Sequence, residues 1–376
     1  MNRRPVASEP VMVKTRFIGA SAAVAFCGLA NAAGLEHIPL ENGLTLVSAL
    51  HFPDGDRENV VTVQGSAANG VTYTWHGSEL GGDGARSEAM FTRYVSAADL
   101  AGATRLNTVF RSNDQADYPG YTAFSLSTGV YESLLATGKA AYTVTALGTG
   151  LPGLQTTAKY KGTLSLVAAQ SEPFPLIVNG AATTVPSLHV RGEFTFREQA
   201  LEQDFWILAE SAHPLILKTA TGRDVLQLLR VEMPPDSVVP ASVVLVERML
   251  DQECRAELPG IYFAFGTATL DGTSQSTLTS VAAMLARHPQ WTLSIEGHTD
   301  NIGTPEANQR LSQQRAQAVQ MSLSADHGIA AARLQSVGFG ATRPRATNDT
   351  MAGRARNRRV ELVRPCATQS TGGNSR

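Results

Sequence analysis

The stretch Ser294-Ile295-Glu296-Gly297-His298-Thr299-Asp300-Asn301-Ile302-Gly303, continuing as TPEANQRLSQQRAQAV, carries the residues best suited to chemistry. Its polar and charged groups sit where a strand should give way to a helix. Asp300 falls in the loop, and Arg315 falls two turns into the helix that follows. Asn308, Leu311 and Arg315 are spaced three and four apart, so they share one helix face. The loop from Thr299 to Ala307 enters that helix, whose first backbone N–H groups and dipole favour anions. Two arrangements satisfy these residues. Asp300 and Arg315 could close on each other as an internal salt bridge. They could instead stand open as a zwitterion trap, with Asp300 for an ammonium and Arg315 in bidentate contact with a carboxylate.

Other chemistries are poorly supplied. His298 beside Asp300 suggests a metal or acid–base site, but no third ligand stands at suitable spacing. Arg354, Arg356, Arg358 and Arg359 cluster, yet the formal net charge is -2, which gives no basic surface for nucleic acid. The cluster reads better as a ligand contact at a strand edge plus solvated surface charge. His213 before Pro214 reads as a turn residue. Nothing resembles a nucleophile elbow, a phosphate loop or a paired-carboxylate site, so neither an enzyme nor a cofactor or metal is expected.

The elements that must hold these residues alternate strand and helix. Val243, Val246, Leu250 and Cys254 recur at helical spacing. Ile261 to Phe265 reads as a strand, followed by a helix faced by Leu278, Val281, Ala282 and Leu285 that His288-Pro289 ends. Trp291 to Ile295 reads as a strand, Asn308 to His327 as a helix, and Leu334 to Phe339 and Arg359 to Val363 as strands. This predicts a mixed sheet with helices on one face. Upstream, Val71–Trp75, Ala141–Thr145, Tyr160–Val167, Leu188–Phe196 and the segment DFWILAESAHPLILKTATGRDVLQLLRVEM alternate like strands. The whole is therefore α+β: a mainly antiparallel β domain over 33–232, a Pro-rich linker over 233–242, the α/β sandwich over 243–366 and a disordered tail over 367–376.

Composition agrees, with 43% hydrophobic and 17% charged residues, which excludes wholesale disorder. Residues 1–32 read as a secretory signal, either Met1 or Met12 being the start. Lys14 and Arg16 precede an apolar run from Phe17 to Leu29 and then Ala30-Asn31-Ala32. Phe26 stands where a lipoprotein signal needs a small residue before Cys27. Once the signal is removed, Cys254 and Cys366 remain as an even pair, and a disulfide between them is expected in an oxidising compartment.

The blocks GIYFAFGTATL, SIEGHTDNIG, ANQRLSQQRAQAV, LQSVGFGATRP and GRARNRRVELV resemble, in order and spacing, the OmpA-like C-terminal domain. That domain is shared by OmpA porins, the Pal lipoprotein and the MotB stator protein. The resemblance runs from about Arg255 to Arg364, under a third of the chain. It implies non-covalent binding of peptidoglycan through the free amine and carboxylate of the diaminopimelate side chain. On the residues of this chain it implies Asp300 and Arg315 as the central pair, with Thr299, Asn308, Leu311 and Arg358 as further contacts. The chain departs from the family at Ala264 and Gly266, where an acidic or amide residue is frequent. The implied location is the periplasm, bound to the wall. For 33–232 two expectations stand. One is a periplasmic β domain tethered by the wall domain and free to meet the outer membrane or an envelope protein; its closing segment faintly resembles half-barrels of the DUF3108 type. The alternative is an outer-membrane β-barrel, although aromatics at 6% are thin for two girdles.

Overall fold

The computed structural model describes residues 37–52, 55–80, 86–107, 118–147, 157–234, 242–264 and 266–365. The expected signal, most of the linker, the tail and Cys366 lie outside the described residues. Alternating side chains build the first sheet. In chain order its elements are β1 (Thr45–Phe52), β2 (Gly55–Ala67), β3 (Gly70–Leu80), β4 (Arg86–Ser96), α1 (Ala97–Gly102) and β5 (Arg105–Asn107). There follow α2 (Thr128–Thr137), β6 (Lys139–Leu147), β7 (Thr157–Leu166), β8 (Glu172–Val178), β9 (Ala181–Phe196), β10 (Gln199–Leu208), β11 (Ile216–Thr221) and β12 (Asp224–Glu232). They form one 12-stranded sheet in the order β4-β3-β2-β1-β12-β11-β10-β9-β7-β6-β5, with β8 pairing β12 and β9.

The burial pattern of β9 shows what the alternation does. Val190, Gly192 and Phe194 point inward, while Arg191, Glu193 and Thr195 are exposed. Inward residues gather into two apolar clusters. One includes Tyr73, Trp75 and Leu217, and the other includes Tyr142, Phe194 and Phe205 against Val130 and Leu134 of α2. Each fully buried side chain of this size stabilises the fold by roughly 1.5–3 kcal/mol.

The second sheet has four strands in the order β13-β16-β14-β15. Its elements are α3 (Ser242–Glu253), β13 (Arg255–Glu257), α4 (Gln275–Arg287), β14 (Leu293–His298), α5 (Pro305–Met321), β15 (Leu334–Gly338), α6 (Met351–Asn357) and β16 (Arg359–Val363). β14 and β15 run parallel, while β16 is antiparallel to both β13 and β14, so the sheet is mixed as expected. The expected strand over Ile261 to Phe265, of which Phe265 lies outside the described residues, is corrected over 261–264: β13 takes that edge, and Phe263 makes only an isolated bridge to Leu270. The Pro259-Gly260 turn redirects the chain, Gly260 having φ +71. Tyr262 then donates its N–H to Ser274 Oγ at 2.9 Å instead of joining a ladder. Ile261 is buried and Phe263 half-buried all the same, which is why the segment reads as a strand.

α5 seats directly on the two parallel strands because glycines let it. A Cβ on Gly297 would lie 2.1 Å from the Ser312 carbonyl oxygen, and one on Gly338 would lie 2.4 Å from the Gln313 nitrogen. The polar face of α5 is then stapled to β15. Gln309 Nε2 donates to Gly338 O at 2.8 Å, and Gln313 Oε1 accepts from Gly338 N at 2.7 Å. This close seat fixes the register of α5 against the loop that leaves β14.

Candidate functional site

The loop between β14 and α5 is shaped by its own side chains. Thr304 caps α5 by accepting from Ala307 N at 3.2 Å, and Pro305 begins the helix where its missing N–H costs nothing. Asp300 Oδ1 accepts from Ile302 N at 3.0 Å, and Asn308 Nδ2 donates to the carbonyls of Asp300 and Ile302 at 3.2 and 3.1 Å. Asn308 is therefore the clamp of the loop, held from the first turns of α5.

Asp300 and Arg315 do not close on each other. Asp300 Oδ2 instead accepts from Arg358 Nη1 at 2.7 Å, at the end of α6. Arg315 donates Nε to the Thr267 carbonyl at 2.9 Å and lies over the Phe263 ring, 4.9 Å from its centroid. No carboxylate forms an ion pair with Arg315 among the described residues. Burial pulls its pKa down to about 10, with the Glu58 charge opposing, so it remains a cation at neutral pH. Asp300, Leu311, Arg315 and Arg358 line a cavity of about 170 Å³ together with Glu58 and Arg230. Thr299 and His298 line it too, and Thr299 Oγ1 and both His298 ring nitrogens are buried without a hydrogen-bond partner. All six site residues expected from sequence thus fall around one loop, one helix and one cavity.

Three charged lining residues come from a part of the chain that was not anticipated. Asp56 and Glu58 come from β2, and Arg230 comes from β12, both strands of the first sheet. Asp56, whose carboxylate is wholly buried, is gripped by Arg354 through Nε and Nη2, each at 2.8 Å. Burial raises the Asp56 pKa, but the hydrogen bonds from Arg354 and His51 outweigh it and hold the group below the usual carboxylate range. Glu58 Oε1 accepts from Arg358 Nε and Nη2 at 3.1 and 2.7 Å. Arg230 donates to the carbonyls of Ala355 and Arg358. Nothing local in the sequence marks these residues, since, His51 apart, each partner lies more than a hundred positions away.

The arginine cluster needs a correction. Arg354 and Arg359 are buried in ion pairs, not solvated; only Arg356 of the four is exposed. The His298 reading also changes, because folding brings Glu296 and Glu361 to it, with ligand atoms within 4.8 Å of one another. Four guanidiniums already hold those carboxylates. Arg255 and Arg343 reach Glu296 at 2.8 and 3.4 Å, and Arg345 and Arg359 reach Glu361 at 2.9 and 2.5 Å. That is a poor setting for a cation. Burial, then Arg359, pushes His298 down to about 4, so its ring is neutral at pH 7.

The sequence matches the OmpA family over residues 262–358. The outer-membrane lipoprotein YfiB of Pseudomonas aeruginosa is 34% identical over 140 residues, which cover 35% of this chain and 82% of that protein. The chain belongs to the OmpA family. Outer membrane porin F of Pseudomonas aeruginosa is 39% identical over 101 residues, 27% of this chain and 29% of the porin. The peptidoglycan-associated lipoprotein of Brucella melitensis is 36% identical over 103 residues, 27% of this chain and 61% of the lipoprotein. The chain thus spans under a third of porin F. The OmpA match contains Asp300, Arg315 and Arg358, whereas Asp56, Glu58 and Arg230 lie outside it.

Proposed function

We propose that the C-terminal domain, 243–366, binds peptidoglycan non-covalently and tethers the β domain, 33–232, to the cell wall. Asp300 faces the ammonium at the end of a diaminopimelate side chain, and Arg315 receives its carboxylate. The observation that carries this reading is the free guanidinium of Arg315. It is fixed by Thr267 O and Phe263, it lines a cavity with Asp300, and no carboxylate of the described residues pairs with it. An internal salt bridge between the two would have left nothing to offer a ligand. Arg358 holds Asp300 in place, Asn308 holds the loop, and Thr299 and Leu311 line the pocket. The name of the Brucella relative, a peptidoglycan-associated lipoprotein, favours the same ligand. Its outer-membrane relatives favour a periplasmic, wall-associated location. Among the described residues of the pocket no nucleophile pairs with a base, and the role proposed is one of binding.

The burial pattern of the first sheet favours a tethered periplasmic domain over a membrane barrel. A membrane barrel turns apolar residues outward and polar ones into its lumen. Here β9 and β10 bury Val190, Phe194, Phe205 and Ile207 and expose Arg191 and Glu193.

Sedimentation of the full chain with purified sacculi tests the ligand. Arg315→Lys keeps the charge but loses the planar fork, and Asp300→Asn keeps the shape but loses the charge. Charge-assisted hydrogen bonds contribute roughly 1.5–3 kcal/mol, so each change should weaken binding about tenfold or more. Thermal melts alongside separate loss of binding from loss of fold. Folded variants that sediment like the parent would show the pair to be structural. Sacculi with lysine in place of diaminopimelate should bind poorly, and equal binding to both would mean that the ligand is another one.

A further inference from the structure

The cavity is walled on one side by a strand that the family match does not include. β2 begins at Gly55, and its first residues run Gly-Asp-Arg-Glu across the end of α6. Asp56 is saturated: Arg354 holds both of its oxygens, and Arg358 Nη1 adds a contact at 3.3 Å. It has no exposed side-chain surface and serves to lock β2 against α6. Glu58 differs. Its side chain keeps 22% exposure, it lines the cavity, and only Oε1 is engaged, by Arg358.

The charges around the cavity can then be followed one by one. Arg358 is neutralised by Asp300 and Glu58. Arg230 spends its Nη2 on two backbone carbonyls. Neither Arg230 nor Arg315 pairs with a carboxylate among the described residues, and of the two only Arg315 keeps both Nη nitrogens without a hydrogen bond. A ligand therefore meets one open guanidinium and two lining carboxylates that are accessible in part, Asp300 and Glu58. We propose that Glu58, carried by the N-terminal sheet, is a specificity-determining residue of this site, selecting ligands that bear an ammonium beside the carboxylate Arg315 receives. This rests on the zwitterion reading above and adds to it a residue from outside the wall-binding domain.

The sign of the effect does not depend on the pose. A negative charge in the pocket wall attracts an ammonium and repels a carboxylate wherever each sits. Removing Glu58 raises or lowers absolute affinity according to which term is larger. It can only reduce the preference for a ligand with the ammonium over the same ligand without it. Asp56 positions Glu58 and has its own charge compensated by Arg354, so its share in selectivity is small.

Isothermal titration of the full chain measures this with two soluble muramyl tripeptides. One ends in diaminopimelate, and the other ends in 2-aminopimelate, which keeps the terminal carboxylate and lacks the terminal amine. The parent should prefer the first about tenfold or more. Glu58→Gln and Glu58→Ala should each cut that ratio by roughly threefold to tenfold, as expected for one charge at contact range in a partly screened site. Glu58→Asp restores the charge and should recover most of the ratio, which a merely structural role would not require. A parent ratio retained in Glu58→Gln or Glu58→Ala would overturn the assignment of Glu58. A parent with no preference at all would instead overturn the zwitterion reading on which it rests.

Discussion

At Asp300 what matters is which arginine it faces. Arg315, on the helix that the loop enters, is left open, and Arg358 from the far end of the domain takes the carboxylate at 2.7 Å. The ion pair that a local reading would close is thereby moved one partner along, and a cation is kept in reserve. A second residue of the same region titrates where it can be measured. Burial pushes Glu232 up to about 7, with Tyr262 Oη donating to it at 3.3 Å. Unfolded, this carboxyl releases its proton near 4.5. Between those pH values the folded state binds more protons than the unfolded one, so stability falls as pH rises and the loss is complete above about 7. Glu232→Gln should therefore stabilise the protein at pH 8, by on the order of 2–3 kcal/mol, and do little at pH 4. Urea unfolding at both pH values checks this, and an equal gain at both would show that ionisation is not the cause.

The elements of the C-terminal half were legible because each is local. Periodicity placed α4, α5, β15 and β16 to within a few residues, since their apolar spacing and caps are written in consecutive positions. The misassigned segment from Ile261 to Ala264 shows the limit: a partly buried irregular segment has the apolarity of a strand without its ladder. Pairing in the first sheet was not legible, because alternation tells which face is buried and not which strand is the neighbour. The antiparallel pairing of β13 with β16 does bear on one expectation. Arg255 stands opposite Val363, and Arg364 N donates to the Cys254 carbonyl at 2.9 Å. Cys254 itself has φ +57 just after α3, where glycine is the usual occupant. A cysteine kept in a left-handed conformation beside the end of β16 is well placed for Cys366, two residues beyond Arg364. We expect that bond, closing a loop of more than a hundred residues and contributing about 4–5 kcal/mol in the chain-entropy account. Mass spectrometry of unreduced protein should find no free thiol at either position, and two alkylated thiols would reject the pairing.

At the scale of the whole molecule, the contacts that matter join residues about three hundred positions apart, such as Asp56 to Arg354 and Glu58 to Arg358. No spacing rule reaches that far, so the central Asp300–Arg315 stretch could be recognised from sequence while the wall contributed by β2 could not. These contacts also decide how the chain unfolds. Ala49 and Leu229 of the first sheet pack with Met351 and Ala355 of α6, and Val47 and Val60 pack with Tyr262. Arg230, Asp56 and Glu58 add polar contacts across the same seam. Two halves coupled in this way should melt together, whereas halves joined only by a linker should melt separately. Calorimetry of the full chain at pH 7 should give one transition, with calorimetric and van't Hoff enthalpies in agreement. Asp56→Ala leaves Arg354, whose side chain is 7% exposed, without its bidentate partner, at a cost of about 3–5 kcal/mol. That variant should split the endotherm in two. Acid should act in the same direction: the depressed Asp56 carboxyl contributes stability above about 3.8 that is lost as pH falls through its lower folded value. Two resolved transitions in the parent protein at pH 7 would show that the β2 wall is only loosely held, and would remove the rigid setting on which the selectivity of Glu58 depends.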